Sequence, residues 1–372
     1  MTQVILAALL LPAAAMAAGA ALTAVVRRQA VRRSFVARPQ ADRYHRSVIA
    51  LGGGAAIFWT LAIFILAGAA AVRFVVAPGY LEGWLSPSLL EHTEGFLSRM
   101  PQLMVVLGVA LALHLMGLWD DMKHLGPFFK LTVQFAAAFA AVVWADVRIT
   151  MFIESHVVTA ILSVFWIVLI INVFNFLDNM DGLSAGIAAI ATAVLMVAAM
   201  RSGQFFVAAT GLVFLGALLG FLVFNFPPAS IFMGDAGSMV VGFFVALLTA
   251  RTTYYDPAVG TPLYSVFMPA VVMAVPLYDF ITVTFLRLKQ GKSPFVGDTQ
   301  HFSHRLKRRG LSDRHVALTL YLATLCTGLG GIILQEASLA GAVLVFVQTV
   351  LILVIVGILE ASSAVNSNGS TR

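Results

Sequence analysis

Residues 157–181 read VVTAILSVFWIVLIINVFNFLDNMD, a long apolar run that ends in a cluster of amide and carboxylate side chains. Residues 157–174 carry no charged side chain, and a helix needs roughly 20 apolar residues to cross a membrane. A strand of a membrane barrel would instead alternate apolar and polar residues over about 10 positions. The stretch therefore predicts a transmembrane helix that ends at a polar site.

The rest of the chain repeats this pattern. Of its 372 residues, 60% are hydrophobic and 11% are charged, whereas soluble domains carry about 25% charged residues. We therefore predict an all-α, polytopic integral membrane protein, with one membrane domain over residues 1–361 and a disordered cytoplasmic tail over residues 362–372. The apolar runs indicate about eleven transmembrane helices, at residues 3–26, 48–76, 103–119, 126–144, 157–174, 182–200, 204–224, 237–251, 265–287, 315–334 and 338–360.

The placement of basic residues predicts the orientation of these helices. The loop 27–47 carries seven arginines and residues 287–314 carry eight basic residues, while the loops of the other side carry few. Because basic loops stay in the cytoplasm, we expect the N-terminus outside and the C-terminus inside. A signal peptide is the alternative interpretation of residues 3–26, but no basic residue precedes that run.

Four polar clusters interrupt the apolar chain, each where a predicted helix ends. If successive helices run antiparallel, the ends of the third, fifth, seventh and ninth helices all face the cytoplasm. A carboxylate near a bilayer is costly and therefore rare unless it has a function. The clusters predict an active site on the cytoplasmic face, and they are Asp120-Asp121 with Lys123 and Lys130, residues 172–181, residues 225–238 and residues 298–309.

Asp120 and Asp121 form the first cluster. Adjacent carboxylates repel one another, which suits a metal ligand or a base, and Lys130 opens the next helix, where it could reach a phosphate. A solvated helix end, with lysines pairing the acids, explains the same residues equally well.

The second cluster places Asn172, Asn175, Asp178 and Asp181 at intervals of three. Residues at i and i+3 share one face of a helix, so a polar stripe is expected to lead out of the apolar run. Amide and carboxylate oxygens suit a hard cation such as Mg²⁺. A polar helix cap is the alternative, although it would need fewer such residues.

The third cluster, NFPPASIFMGDAGS, runs from Asn225 to Ser238. Glycines flank Asp235 and allow close approach of backbone and ligand, and Asp235 is expected at the start of a helix, where the dipole favours anions. Phe232 could stack on a nucleobase, or it could simply be a core residue.

The fourth cluster carries His301, His304 and Arg305. Two histidines at i and i+3 could bind zinc, but the chain has one cysteine, Cys326, and no HExxH spacing. Cations around a polyanionic substrate explain the cluster better. The cytoplasmic excess of basic residues explains its lysine and arginines, but not its histidines.

In their order and spacing, these clusters resemble the polyprenyl-phosphate N-acetylhexosamine-1-phosphate transferases. The resemblance extends from about Asp42 to Ser312. GLWDDMKHLGPFFK at 117–130 looks like the DD motif of that superfamily, NVFNFLDNMDGLSAG at 172–186 like its NxxNxxDxxDGL motif, and residues 225–238 like its FMGDxGS motif. Residues 287–312 look like its histidine motif.

The resemblance implies an Mg²⁺-dependent transferase of the cytoplasmic face of the inner (plasma) membrane, with Mn²⁺ as the alternative ion. It would transfer a HexNAc-1-phosphate group, GlcNAc-1-phosphate in the favoured branch, from a UDP-sugar to undecaprenyl or another polyprenyl phosphate and release UMP, as the first membrane step of cell-envelope glycan synthesis. It implies catalytic roles for Asp120 and Asp121 and metal ligation by Asn175 and Asp235. The substrates would be bound by Lys130, Asp178, Asp181, Asn225, Phe232, His301, His304 and Arg305.

The chain also departs from the pattern of the superfamily. Ser303 stands where the HxHH motif has its middle histidine, and residues after His45 lack the expected prolines. Asp279 matches a recurrent aspartate whose role stays open. The alternatives are a phospho-MurNAc-pentapeptide transferase, a cation-coupled transporter and a scaffold without catalysis. No nucleic-acid partner is expected, and a homodimer stays open.

Overall fold

The computed structural model describes residues 2–37, 48–81, 83–149, 152–256, 258, 260–295 and 300–361. Most of these residues are helical, and the predicted all-α membrane fold is confirmed. The α-helices are α1 (Thr2–Arg32), α2 (Gly53–Ala71), α3 (Pro87–Leu90), α4 (Thr93–Lys123), α5 (Pro127–Trp144), α6 (His156–Leu177), α7 (Leu183–Arg201), α8 (Phe205–Asn225), α9 (Asp235–Arg251), α10 (Met268–Val272), α11 (Ala274–Lys289), α12 (Phe302–Arg308), α13 (Asp313–Ile333) and α14 (Leu339–Ala361). The predicted tail at 362–372 and His45 lie outside the described residues.

Within the described ranges, nine helices are long and apolar enough to cross a membrane. They are Leu6–Arg32, Gly53–Val76, Thr93–Lys123, Pro127–Trp144, His156–Leu177, Leu183–Arg201, Phe205–Asn225, Asp313–Ile333 and Leu339–Glu360. A bent pair at Leu263–Val272 and Ala274–Lys289 makes up to ten, and α9, with 17 residues, is shorter than each of the nine. The chain is thus a multi-pass membrane protein, while the count of eleven spans is not confirmed.

Helix α9 forms the centre of the bundle. Every residue from Ala236 to Ala250 is buried, and α2, α4, α6, α7 and α8 all contact this helix. Small residues permit this close packing, since a Cβ added at Gly54 would lie 2.2 Å from the backbone nitrogen of Gly237, and one at Gly117 would lie 2.5 Å from Cα of Ala236. Close backbone approach at small residues is typical of helix packing in membranes. The close packing at Gly117 holds the start of α9 beside the end of α4.

The predicted span 48–76 begins later than expected, at Gly53. Ile49 and Ala50 are extended instead, in a two-stranded antiparallel hairpin of β1 (Val36–Ala37) and β2 (Ile49–Ala50). β2 also receives a backbone hydrogen bond from the amide of Phe232 at 2.8 Å. The hairpin thereby ties the start of α2 to the loop that leads into α9.

The predicted ninth span is broken, with a bend of 65° between α10 and α11. The break lies at Met273, three residues before Pro276. Proline has no amide hydrogen, so residue 276 cannot bond to the carbonyl of Val272, and the helical ladder is interrupted there. A further difference is α12, seven residues long, in a region predicted as a loop.

Candidate active site

All four predicted clusters meet at one end of the bundle. Asp120 and Asp121 lie in the last turn of α4, Asn175 in the last turn of α6, and Asp235 at the first turn of α9. Direct hydrogen bonds join these elements, although up to 115 residues separate the partners along the chain. The convergence expected from the sequence is therefore present in the structure.

The Asp121 carboxylate holds the N-terminus of α9. Its Oδ1 accepts from the amide of Asp235 at 2.8 Å, and its Oδ2 accepts from the amide of Ala236 at 3.2 Å. These amides have no partner within their own helix, and the helix dipole favours a negative charge there. Gly234 precedes them with φ 72°, and a Cβ on it would lie 2.5 Å from Oδ2 of Asp121. Both oxygens of Asp121 are therefore used in positioning α9.

Lys130 bridges the other two carboxylates. Its Nζ donates to Oδ2 of Asp120 at 2.9 Å and to Oδ2 of Asp235 at 3.2 Å. Asp120 also accepts from the amide of Leu125 at 2.5 Å. The turn after α4 and the first helical turns of α5 thereby bring a cation between acids of two helices. Contact of Lys130 with a substrate phosphate stays a prediction.

Asn175 completes this network from α6. Its Nδ2 donates to Oδ1 of Asp235 at 3.0 Å and to Oγ of Ser238 at 2.9 Å. Asn172, one turn earlier, bonds instead to Oε1 of Gln134 at 2.7 Å and does not reach the carboxylates.

The predicted polar stripe along one helix face is wrong beyond Asn175. Helix α6 ends at Leu177, and Asp178 already has non-helical angles, φ −78° and ψ 42°. The chain then turns through Asp181 to Gly182, whose φ is 72°. The Asp-Gly pair at 181–182 is a turn signal that could have predicted this break.

Asp178 lies in this turn, close to the carboxylate network. Burial raises the pKa of its carboxyl well above the usual value, and the negative charges of Asp235, Asp121 and Asp181 raise it further. The backbone amide of Gly234 lowers it by a smaller amount. Asp178 is therefore a carboxyl that gains from a nearby positive charge.

Asp181, Asn225 and Phe232 lie in the loops around the network. Asn225 is buried; its Oδ1 accepts from the amide of Gly182 at 3.0 Å, and its Nδ2 donates to the carbonyl of Ile231 at 2.9 Å. Asp181 accepts from the amide of Ala229 at 2.9 Å. These bonds hold the two loops together, and the ring of Phe232 is half-buried beside them. Nucleotide binding by these three residues stays a prediction.

The histidine segment, the fourth predicted cluster, forms a group of its own beside the carboxylate network. Asp279 of α11 bonds to Nδ1 of His301 at 2.8 Å through one oxygen and accepts from the amide of Phe302 at 2.8 Å through the other. Asp279 thus orients His301 and caps α12. Ser303 links this histidine cluster to the turn after α6, because its hydroxyl donates to Oδ1 of Asn179 at 2.5 Å.

The ring of His304 lies against that of His301, with 6.3 Å between the ring centroids, and Arg305 pairs with a residue of α14. Burial, followed by the charge of His301, lowers the pKa of His304 from 6.5 to about 4, so the ring is neutral at neutral pH. The guanidinium of Arg305 pairs with Oε2 of Glu360 in α14 at 2.9 Å. Substrate binding by these two residues stays a prediction.

The sequence patterns did not single out three residues of this histidine cluster. Glu360 is buried at the end of an apolar helix, Arg287 is 2% exposed and lies 4.9 Å over the ring of Phe176, and Asn179 receives the Ser303 bond. A lone carboxylate that ends an apolar run, as Glu360 does, is a signal that could have been used.

The donor atoms in and around the carboxylate network fit a hard divalent cation. Asp120, Asp121 and Asp235 supply carboxylate oxygens, Asp178 supplies a further carboxyl group and Asn175 an amide, and the one charge of Lys130 does not neutralise three carboxylates. In the described residues no group of three or more histidine, cysteine, aspartate or glutamate side chains is arranged to hold a metal by itself. Mg²⁺ commonly takes one or two carboxylates and completes its shell with water and substrate phosphates, so the residues fit that ion.

Comparison with known proteins agrees with this geometry. The sequence model of glycosyl transferase family 4 matches residues 103–253, which contain both Asp120-Asp121 and Asp235. A probable undecaprenyl-phosphate N-acetylglucosaminyl 1-phosphate transferase of Bacillus subtilis is 29% identical over 93% of this chain and 89% of its own length.

Two further relatives belong to other bacteria. A decaprenyl-phosphate N-acetylglucosaminephosphotransferase of Mycobacterium leprae is 35% identical over 64% of this chain and 66% of its own length. An undecaprenyl-phosphate alpha-N-acetylglucosaminyl 1-phosphate transferase of Yersinia pestis is 25% identical over 83% of this chain and 79% of its own length. The superfamily and the branch suggested by the motifs are confirmed by these matches, and the model of glycosyl transferase family 4 covers the part of the chain that carries Asp120, Asp121 and Asp235.

Proposed function

We propose that this protein transfers a HexNAc-1-phosphate group, GlcNAc-1-phosphate, from a UDP-sugar to undecaprenyl or another polyprenyl phosphate and releases UMP. The observation that carries the proposal is the hydrogen-bonded network of Asp120, Lys130, Asp235 and Asn175 at the ends of membrane helices. The names of the relatives describe the same transfer, which supports the choice of GlcNAc.

An apolar groove beside the network fits an isoprenoid chain. It has a volume of about 310 Å³ and lies between α5, α6 and α11, with Asn172 and Phe176 in its wall on either side of Asn175 in sequence. Five phenylalanines line it, Phe135, Phe165, Phe176, Phe280 and Phe295. A polyprenyl tail in this groove would remain among apolar side chains, while its phosphate reached the carboxylate network.

Lys130 is the residue that would meet the phosphates. Its ammonium is held between Asp120 and Asp235 and is 24% exposed. A lysine ammonium is a mobile point charge, so it can keep one carboxylate contact and turn the other donor toward a phosphate oxygen. This would offset part of the repulsion between the two anionic substrates.

In the transfer, an oxygen of the lipid phosphate attacks the β-phosphorus of the UDP-sugar. A new P–O bond forms, the bond from the β-phosphorus to the bridging oxygen breaks, and the electron pair leaves with UMP. The lipid phosphate must be at least partly deprotonated to attack, and Asp120 could accept that proton. Both oxygens of Asp120 also accept hydrogen bonds, but its Oδ2 would become available when Lys130 turned toward a phosphate. Asp121 is less suited to this step, because both of its oxygens hold backbone amides of α9, which cannot turn away.

Mg²⁺, when bound, would neutralise the diphosphate and the charge that develops on the transferred group. Asp235 and Asn175 would hold it, with Mn²⁺ as an alternative ion. The task of the protein is to fix these two side chains, which the bond between them and the packing of α9 accomplish.

The basic loops support an orientation with the active site in the cytoplasm and the N-terminus outside, in the inner (plasma) membrane. A soluble nucleotide sugar would then reach the site from the cytoplasm. A coupled transporter would need acids near the middle of its helices, whereas Asp120, Asp121 and Asp235 lie at helix ends.

The test is UMP release by the purified protein from UDP-GlcNAc and undecaprenyl phosphate, with Mg²⁺ and with excess chelator. Release that requires both the metal and the lipid phosphate is the expected result. A panel of UDP-sugars then identifies the preferred sugar. Absence of UMP with every sugar, from protein that is folded and monodisperse, would refute the proposal.

A further inference from the structure

A second, larger cavity lies at the other end of the bundle. It has a volume of about 520 Å³ and is lined by the far ends of α2, α4, α8 and α9, the same helices whose opposite ends approach the carboxylate network. Helix α9 runs from Asp235 at the network to Arg251 at this cavity, which corresponds to about 24 Å along its axis. The cavity is therefore separate from the proposed active site.

The lining of this cavity is apolar along its walls and cationic at one part of its rim. Phe64, Val106 and Phe244 are among the apolar residues, whereas Arg99 and Arg251 belong to the rim. Its volume lies within the roughly 300–1,000 Å³ of typical small-molecule sites. Such a combination matches an amphiphile with an anionic head.

The positive charge at the rim is incompletely balanced by the protein. Arg251 donates to the carbonyl of Asp146 at 2.9 Å and is 3.9 Å from its carboxylate, but that carboxylate pairs more closely with Arg148, at 2.7 Å. Arg99 lies near enough to Arg251 for the two cations to repel. In the part of the chain that the structure describes, no hydrogen bond or ion pair engages the guanidinium of Arg99.

Acidic residues nearby do not enter the cavity. Glu91 and Glu94 precede Arg99 in sequence, but both are exposed and neither lines the cavity. Guanidinium groups bind phosphate through paired hydrogen bonds, and the helices around the cavity are long and apolar enough to lie in lipid. An anion with an apolar chain is the ligand that satisfies both observations.

We propose that this cavity binds a phospholipid with an anionic head group, with its phosphate at Arg99 and Arg251 and one acyl chain along Phe64, Val106 and Phe244. On the orientation proposed above, this lipid belongs to the outer leaflet. The site does not depend on the proposed catalytic activity, because it shares no side chain with the carboxylate network.

Two variants test the head and the chain separately. Arg99→Gln removes the unpaired cation. Gly68→Leu fills the cavity, because a Cβ at Gly68 meets no atom within 4 Å and the residue lines the cavity wall. The matched controls are Arg201→Gln, a cation at the same end of the bundle outside the cavity, and Gly108→Leu, a helical glycine that also has open space and does not line it.

The measurement is native mass spectrometry of the delipidated protein, titrated with phosphatidylglycerol or with phosphatidylcholine. We expect phosphatidylglycerol to bind about tenfold more weakly to Arg99→Gln and to Gly68→Leu than to the original protein, a difference of about 1.4 kcal/mol. Both controls should bind within about twofold of it. Melting temperatures without lipid verify that all four variants are folded.

Three results would overturn the proposal. One is equal binding of phosphatidylglycerol by the original protein and by both test variants. Another is equal loss in the controls, which would indicate a general effect of surface charge or shape. The third is binding of phosphatidylcholine as tightly as phosphatidylglycerol by the original protein.

Discussion

The two polar clusters at the active end differ in how their charges are balanced. In the carboxylate network, Asp120 and Asp235 share the ammonium of Lys130, while Asp121 accepts from two backbone amides. In the histidine cluster, Asp279 has His301 and Glu360 has Arg305 as partners. The carboxylate network thus lacks positive charge, which a cation can supply, while each acid of the histidine cluster already has a cationic or histidine partner. We infer that the first binds the reacting groups and that the second supports it.

The largest effect is expected for Asp235→Asn. The substitution keeps the shape of the side chain but removes the charge that Lys130 and a divalent cation share. UMP release should fall by about 1,000-fold, as for loss of a main electrostatic contact in a transition state. The melting temperature should change little, and Asp256→Asn, an acid outside both clusters, should retain full activity.

The second prediction tests the positioning of α9 by Asp121. Gly234→Ala places a Cβ 2.5 Å from Oδ2 of Asp121, so the carboxylate must move away from the two amides. We expect UMP release to fall by about 100-fold and the melting temperature to fall as well.

Gly203→Ala is the matched control for this change. Gly203 has φ 68°, close to the 72° of Gly234, but a Cβ there meets nothing within 4 Å. Both substitutions place a side chain at positive φ, and at Gly234, whose ψ is 173°, the backbone strain adds about 1–3 kcal/mol to the effect of the contact. Equal activity of the two variants would show that the contact with Asp121 does not matter.

The third prediction concerns the closed pair in the histidine cluster. Arg305→Gln and Glu360→Gln each leave a buried charge without its partner, and the double variant leaves none. The double-mutant cycle should therefore give a coupling free energy of about 2 kcal/mol. The exposed pair Arg201 and Glu336, at 3.4 Å, should give about 0.5 kcal/mol or less in the same cycle.

Activity distinguishes the two clusters in that experiment. Because the pair is structural, UMP release of Glu360→Gln should remain within about tenfold of the original protein. A loss as large as that of Asp235→Asn would place Arg305 on the substrate, as the sequence motif implied.

The smallest effect is a pH dependence from His304. Its pKa is about 4 in the folded protein and 6.5 as the reference value, so the unfolded chain takes up a proton first as the pH falls. The stability contributed by neutral His304 is therefore complete above pH 6.5 and is lost progressively toward pH 4. His304→Gln should flatten the decline of melting temperature between these values, whereas His156→Gln, at the other end of the bundle, should not.

The sequence predicted the fold class and the meeting of the clusters, because apolar run length and the positions of acids depend on local composition. Asp121 and Asp235 were placed at helix ends correctly, and their contact follows from antiparallel packing. Glycine-mediated contacts such as Gly54 with Gly237 were not predictable, since they depend on which helices face each other. The same is true of the pairing of Arg305 with Glu360, whose partners are 55 positions apart.

The most direct test of the central claim is Mn²⁺ binding measured by electron paramagnetic resonance with UDP-GlcNAc present. The account predicts one bound ion per chain, binding that is lost in Asp235→Asn and competition by Mg²⁺. One ion bound with unchanged affinity in Asp235→Asn would contradict the account, because the ion would then lie outside the carboxylate network.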